Sequence, residues 1–154
     1  MNEATDGTER SLKLWVVLSR AHAAIERHAQ ADVARHGLTL AEFGVMEALF
    51  HGGPMTQGEV QRKTLVTSGG ITYLVDRLAA KGWVERRRCD RDRRATYAAL
   101  TDDGQAKMRE IFPRHAEAVQ HAVSGLREED QELAIRLLRS LGRHAAELNP
   151  RGGA

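Results

Sequence analysis

Residues 66–104 read VTSGGITYLVDRLAAKGWVERRRCDRDRRATYAALTDDG. The first half has helical spacing. Ile71, Leu74, Val75 and Leu78 fall on one side at 100° per residue, so the pattern predicts a helix over about 68–81, closed by Gly82 as its C-cap. The period then changes. Residues 83–88 and 96–100 suit extended strands, with Val84, Tyr97 and Leu100 available to pack, and a polar, charge-dense loop at 89–95 joins them. A helix followed by two strands and a basic loop has the layout of a wing.

Opposite the apolar stripe lie Gly69, Thr72, Tyr73, Asp76 and Arg77. That outer face is small and hydrogen-bonding at its N-terminal end, where Ser68 and Gly69 would let a backbone approach and the helix N-terminus favours phosphate. A DNA major groove admits such a helix. Arg86, Arg87, Arg88, Arg91, Arg93 and Arg94 crowd into nine residues, with Asp90 and Asp92 between them. Like charges so close add nothing to the stability of a surface hairpin, whereas arginine suits a narrow minor groove. The DNA-contacting set read from this stretch is therefore Ser68, Gly69, Thr72, Tyr73, Arg77, Arg88, Arg91, Arg93 and Arg94. The bland alternatives are a solvated helix face and a loop held by Asp–Arg pairs.

Working outward, Thr56 with Glu59 is a capping box, which predicts a short helix over about 57–64 and, with the helix after it, a helix-turn-helix. Thr39 with Glu42 repeats the box and opens a helix that His51-Gly-Gly-Pro54 stops. Leu14, Leu18, Ala21, Ile25, Ala29 and Val33 predict a helix over about 12–35, ended by Gly37, with residues 1–10 frayed. Downstream, Thr101 caps a long helix that Pro113 should bend, and Glu128–Asp130 start a last helix with Leu133, Leu137, Leu138, Leu141 and Leu148 on one side. The fold expected is mainly α with a small β-wing. A single domain over 1–154 would contain a winged helix-turn-helix lobe at 38–101 and dimerisation helices at 11–36 and 102–148.

Charge supports this division. The chain carries a net +2, yet residues 62–94 hold ten Lys and Arg against four acids, so one third is basic and the remainder acidic. A single cysteine, Cys89, excludes a disulfide scaffold. The mixed-charge N-terminus is unlike a signal peptide, and no apolar run approaches the roughly 20 residues of a membrane span, so a cytoplasmic protein without membrane partners is expected.

The pieces ITYLVDRL, KGWVERR, the Asp-Arg-Arg at 92–94 and LTDDG, with LTLAEFGVMEAL and PMTQGEV upstream, resemble the signature region of the MarR (multiple-antibiotic-resistance regulator) family. The similarity covers roughly residues 12–148. LWVVLSRAH and IFPRH look closest to the branch that senses quinones and catechol-like aromatics. Many relatives have Asp-Pro where this chain has Cys89-Asp90, so the wing tip lacks that stiffening.

The resemblance implies a transcriptional repressor that binds an inverted-repeat operator in double-stranded DNA as a homodimer and is released by a small aromatic effector. It implies dimerisation through the first and the last two helices, which also hold more apolar residues than a monomer of this size would easily hide. Family ligands bind between the dimer helices and the winged lobe, and by position the candidates are Trp15, His22, Phe43, Met46, Phe112 and His115. The bland reading of each is core packing.

Other readings compete. Cys89, among arginines that would favour its thiolate, is a candidate redox switch, although oxidant-sensing relatives usually carry their cysteine in the first helix. A ligand-independent architectural nucleic-acid binder is another. The seven histidines match no compact zinc spacing, and no metal or cofactor is expected. Without a phosphate-binding glycine loop, a metallopeptidase helix or a nucleophile elbow, an enzyme is disfavoured.

Overall fold

The computed structural model describes residues 3–64, 68–88 and 96–148. Helix α1 spans Glu3–Ala34, α2 Leu40–Gly52, strand β1 Met55–Thr56, α3 Gln57–Lys63, α4 Ser68–Ala80, β2 Val84–Arg88, β3 Thr96–Leu100, α5 Asp102–Val123 and α6 Glu128–Glu147. The architecture is mainly helical with one small antiparallel sheet. The chain divides into two compact units, Met1–Val119 and Gln120–Ala154. The expected winged lobe at 38–101 lies wholly within the first.

Local chemistry explains most boundaries. Both capping boxes are present: Thr39 and Thr56 accept from the amides of Glu42 and Glu59, whose carboxylates accept from the two threonine amides. Gly37 and Gly82 adopt φ of 72° and 76°, the left-handed conformation that ends α1 and the turn after α4. Thr101 holds the start of α5, accepting from the Gly104 amide at 3.0 Å and donating to the Gly82 carbonyl at 2.6 Å. Gly104 is there because of a close approach: a Cβ at that position would collide with the Trp83 carbonyl oxygen. The LTDDG segment thus locks the end of the wing onto the turn that precedes it.

Two expectations need correction. Helix α1 begins at Glu3 rather than near residue 12, so residues 3–10 are helical, with an Asp6–Arg10 ion pair one turn apart at 3.8 Å. The sheet has a third strand, β1, which pairs Met55 with Ala98 and Thr56 with Tyr97, so that β3 lies between β1 and β2. Two residues are too few for periodicity to reveal. As for the proline expected to bend its helix, Pro113 lies within α5, which continues on both sides of it. The carbonyl it deprives of a partner belongs to Arg109, which is exposed to water.

The core of the first unit joins α1, α2, α3, α4, the sheet and α5 through Val33, Phe43, Met46, Leu49, Val60, Val75, Leu78, Val84, Met108 and Ile111. By contrast, α6 has no buried residue.

Candidate nucleic-acid interface and effector cleft

The geometry of α4 follows its sequence. Ile71, Leu74, Val75 and Leu78 are buried, while Thr72, Tyr73, Asp76 and Arg77 are exposed. The outer face is tied to its surroundings at three points. Thr72 donates from its hydroxyl to Gln57 Oε1 of α3 at 3.1 Å. Asp76 pairs with Arg86 of β2 at 2.7 Å. Arg77 donates from Nη1 to the Tyr73 hydroxyl at 3.2 Å and from Nε to Glu42 of α2 at 2.8 Å. Both bonds hold the Arg77 guanidinium above its ordinary basicity, Tyr73 contributing most and Glu42 next.

Glu42 is the buried charge of this region. Burial alone would raise its pKa, but hydrogen bonds from the Thr39 amide, Arg77 and Lys81 hold it below the ordinary carboxylate value. Sequence reasoning placed Glu42 only as a helix cap. Its partners lie 35 and 39 residues away, a separation that no local pattern encodes.

In the wing, β2 pairs with β3 from Val84↔Leu100 to Arg88↔Thr96. Arg88 is exposed at the far end of that ladder, next to the loop. Arg86 and Arg87 are engaged by Asp76 and Glu85. Arg91, Arg93 and Arg94 lie outside the described residues, as does Cys89. The backbones of Ser68 and Gly69 form the first turn of α4, and their side chains are likewise outside the description.

A cleft of about 670 Å³ opens between α1, α2 and α5, with Lys63 and Thr64 at one edge. His22, Phe43 and His115 line it, so three of the six expected ligand residues come together there. The Phe43 and His115 rings lie 4.2 Å apart, and His115 Nδ1 is 3.4 Å from Asp32 Oδ2. The other three are elsewhere. Trp15 is 67% exposed on α1, nearly two turns before His22. Met46 turns into the core. Phe112, one turn before His115 on α5, packs against Phe50 and His51 at the other end of α2. Glu26 and Glu47 also line the cleft and were not singled out from sequence. Isolated acids at helical spacing read as solvated surface. Among the described residues no cluster of His, Cys, Asp and Glu could hold a metal ion, and no helix is long and apolar enough to cross a membrane.

Comparison with known proteins bears on this geometry. The MarR family model matches residues 36–95. The HTH-type transcriptional regulator MhqR of Bacillus subtilis (strain 168) is 39% identical over 142 residues, covering 92% of this chain and 98% of MhqR. Among solved structures, Sco3205 of Streptomyces coelicolor, a MarR family transcriptional regulator in complex with DNA, superposes with a TM-score of 0.81 at 26% identity, over 93% of this chain and 90% of that one. BpsR of Bordetella bronchiseptica, whose DNA binding is regulated by 6-hydroxynicotinic acid, gives a TM-score of 0.75 at 26% identity, over 82% and 90%. With a buried stripe beneath a polar outer face on α4, a wing built on β2 and β3, and a full-length relative at this identity, the chain belongs to the MarR family of winged helix-turn-helix, DNA-binding transcriptional regulators.

Proposed function

We propose that the protein is a homodimeric repressor that binds an inverted-repeat operator through α4 and its wing and is released by a small aromatic ligand. The observation that carries the reading is the outer face of α4. Thr72, Tyr73 and Arg77 stand exposed over a fully packed stripe, on a helix of 13 residues that a major groove would accept. In this reading Ser68, Gly69, Thr72, Tyr73 and Arg77 meet the groove, and Arg88, Arg91, Arg93 and Arg94 meet the minor groove or phosphate.

Two unpartnered apolar surfaces support the dimer. On α6, Leu133, Leu137, Leu138 and Leu141 are 39–61% exposed on one side. On α1, Leu12, Leu14, Trp15, Val16 and Val17 are 41–67% exposed. Large apolar side chains left exposed in such number mark an interaction site. Charge along α6 favours a second copy as the occupant. Its first turn is acidic (Glu128, Glu129, Asp130) and its later turns carry Arg136, Arg139 and Arg143, so antiparallel pairing opposes unlike charges.

The effector is placed in the α1–α2–α5 cleft, whose volume falls in the usual range of about 300–1,000 Å³ for ligand pockets. Phe43 and His115, both buried and packed ring to ring, form the aromatic floor of the cleft, and His22 and Lys63 at its walls offer polar contacts for hydroxyl or carboxylate groups. His22 and His115 belong to the LWVVLSRAH and IFPRH segments that resemble the quinone- and catechol-responsive branch, so a hydroxylated aromatic is the ligand class proposed. Regulation of BpsR by 6-hydroxynicotinic acid supports an aromatic effector.

The test is geometric. Two rigidly joined recognition helices need half-sites about one helical turn apart, so inserting ~5 base pairs between them should abolish binding by the dimer seen in sedimentation. Binding that survives the insertion contradicts the rigid dimer. Adding hydroquinone should release the uninterrupted operator, and a His115→Ala variant should lose that response while still binding DNA.

A further inference from the structure

The two capping boxes are matched in composition and differ in use. Glu59 of α3 accepts from the Thr56 amide at 2.7 Å and the Thr56 hydroxyl at 2.9 Å, and it stays half-buried. Glu42 of α2 is fully buried. Besides the Thr39 amide at 2.8 Å, it accepts from Arg77 Nε at 2.8 Å and from Lys81 Nζ at 3.0 Å on each oxygen. A helix cap needs neither full burial nor a cation hydrogen-bonded to its carboxylate: Glu59 has neither, Arg62 and Lys63 acting on it only through space. Burying a carboxylate is costly, and here its oxygens are satisfied by groups from a different helix. The expense is met where α2 touches the back of the recognition helix.

The two cations are not equivalent. Lys81 also donates to the Gly37 carbonyl at 2.7 Å, so it ties the α1–α2 turn to the end of α4. Arg77 points the other way. With Nε anchored on Glu42, its Nη1 reaches the Tyr73 hydroxyl, and its Cζ stands 5.7 Å from the centre of the Tyr73 ring. The Arg77 side chain remains 46% exposed on the outer face. An unanchored arginine samples many rotamers and loses that freedom on binding, whereas a planar fork already fixed gives up less.

We propose that Glu42 is a positioning residue for DNA sequence readout, fixing the Arg77 guanidinium and through it the Tyr73 hydroxyl on the outer face of α4. The inference rests on the reading of that face as the surface that meets base edges. Glu42 itself touches no DNA. It acts from beneath the helix and converts two mobile side chains into one rigid donor–acceptor pattern.

The experiment uses the full-length protein and a duplex enriched by the wild type from a random-sequence pool, with a scrambled duplex of the same composition as reference. In Glu42→Gln, the ratio of the two affinities should fall about tenfold, with scrambled-DNA affinity and salt dependence unchanged. Lys81→Met should lower the melting temperature and keep the ratio. In an Arg77→Gln background, adding Glu42→Gln should cost no further preference. A Glu42→Gln protein that keeps its ratio, or loses affinity for both duplexes equally, overturns the proposal, as does a further loss in the Arg77→Gln background. Should Glu42→Gln melt below the assay temperature, Arg77→Lys decides. It keeps the charge opposite Glu42 without the fork that reaches Tyr73, so retained preference overturns the proposal and lost preference supports it. A wild type that enriches no duplex overturns the reading of α4 as well, which separates the two failures.

Discussion

Glu42 illustrates how one residue type acquires two behaviours from its surroundings. Its pKa lies below the ordinary carboxylate value because three donors outweigh burial. The unfolded chain therefore binds a proton more readily than the folded one between the two values, and stability rises with pH across that interval. The contribution is complete above the unfolded value of about 4.3 and is lost as pH falls through the depressed folded value. Urea melts between pH 6 and pH 3 should show stability falling on the acid side, with a shallower fall in Glu42→Gln than in wild type. Equal acid slopes in the two proteins would show that the pairing contributes nothing to folding. The sequence announced Glu42 as a cap and was silent on its burial, because its cations arrive only when α4 docks. The same holds for Trp15 and Met46. Each is a large side chain at helical spacing, and whether it meets cleft, core or solvent depends on neighbours that spacing does not specify.

At the level of elements, the proposed function assigns different contacts to α4 and to the wing. Thr72 and Tyr73 sit on the outer face of α4, and Arg88 sits at the far end of β2. A lost base contact removes discrimination, typically about 1–3 kcal/mol at one position, whereas a lost phosphate contact weakens all sequences alike. Thr72→Ala and Tyr73→Ala should therefore relax operator preference with salt dependence nearly unchanged. Arg88→Ala should lower affinity for operator and scrambled DNA together and flatten the salt slope by about one unit. Salt titrations of each variant on both duplexes check this. Loss of preference in the wing variant alone would mean that the wing reads sequence or groove shape. Among elements, those with strong local signals were legible beforehand. The stripe of α4 and the bounds of β3 come directly from spacing, and both capping boxes from the Thr-x-x-Glu pattern. Strand β1 was not legible because its identity lies in its pairing with β3 rather than in Met55 and Thr56 themselves. The early start of α1 was missed because residues 3–10 are polar, and polarity was read as fraying.

For the molecule as a whole, charge segregation is the quantity with a thermodynamic consequence. The excess of ten basic over four acidic residues in 62–94 sits on a chain whose net charge is only +2. Binding should therefore be driven by local counterion release while the protein stays close to neutral overall. If a dimer neutralises on the order of 8 phosphates, log K should fall against log[salt] with a slope near −7. A slope near zero would remove the phosphate contacts from the account. The general fold class was readable at this scale from the succession of periods. The division into two units was not, since α5 runs unbroken through the boundary at Val119.

The shortest element has the widest mechanical reach. Thr56 is at once the last residue of β1, in register with Tyr97 of β3, and the N-cap of α3. Sheet and helix-turn-helix thus share a single residue as their joint, with no slack between them. A tilt of the β2–β3 hairpin, were DNA to impose one, would meet the first turn of α3 immediately beyond β1. The Gln57–Thr72 bond would link that turn to α4. On the proposed reading, the wing would then act less like an appended arm than like the handle of a lever whose fulcrum is Thr56.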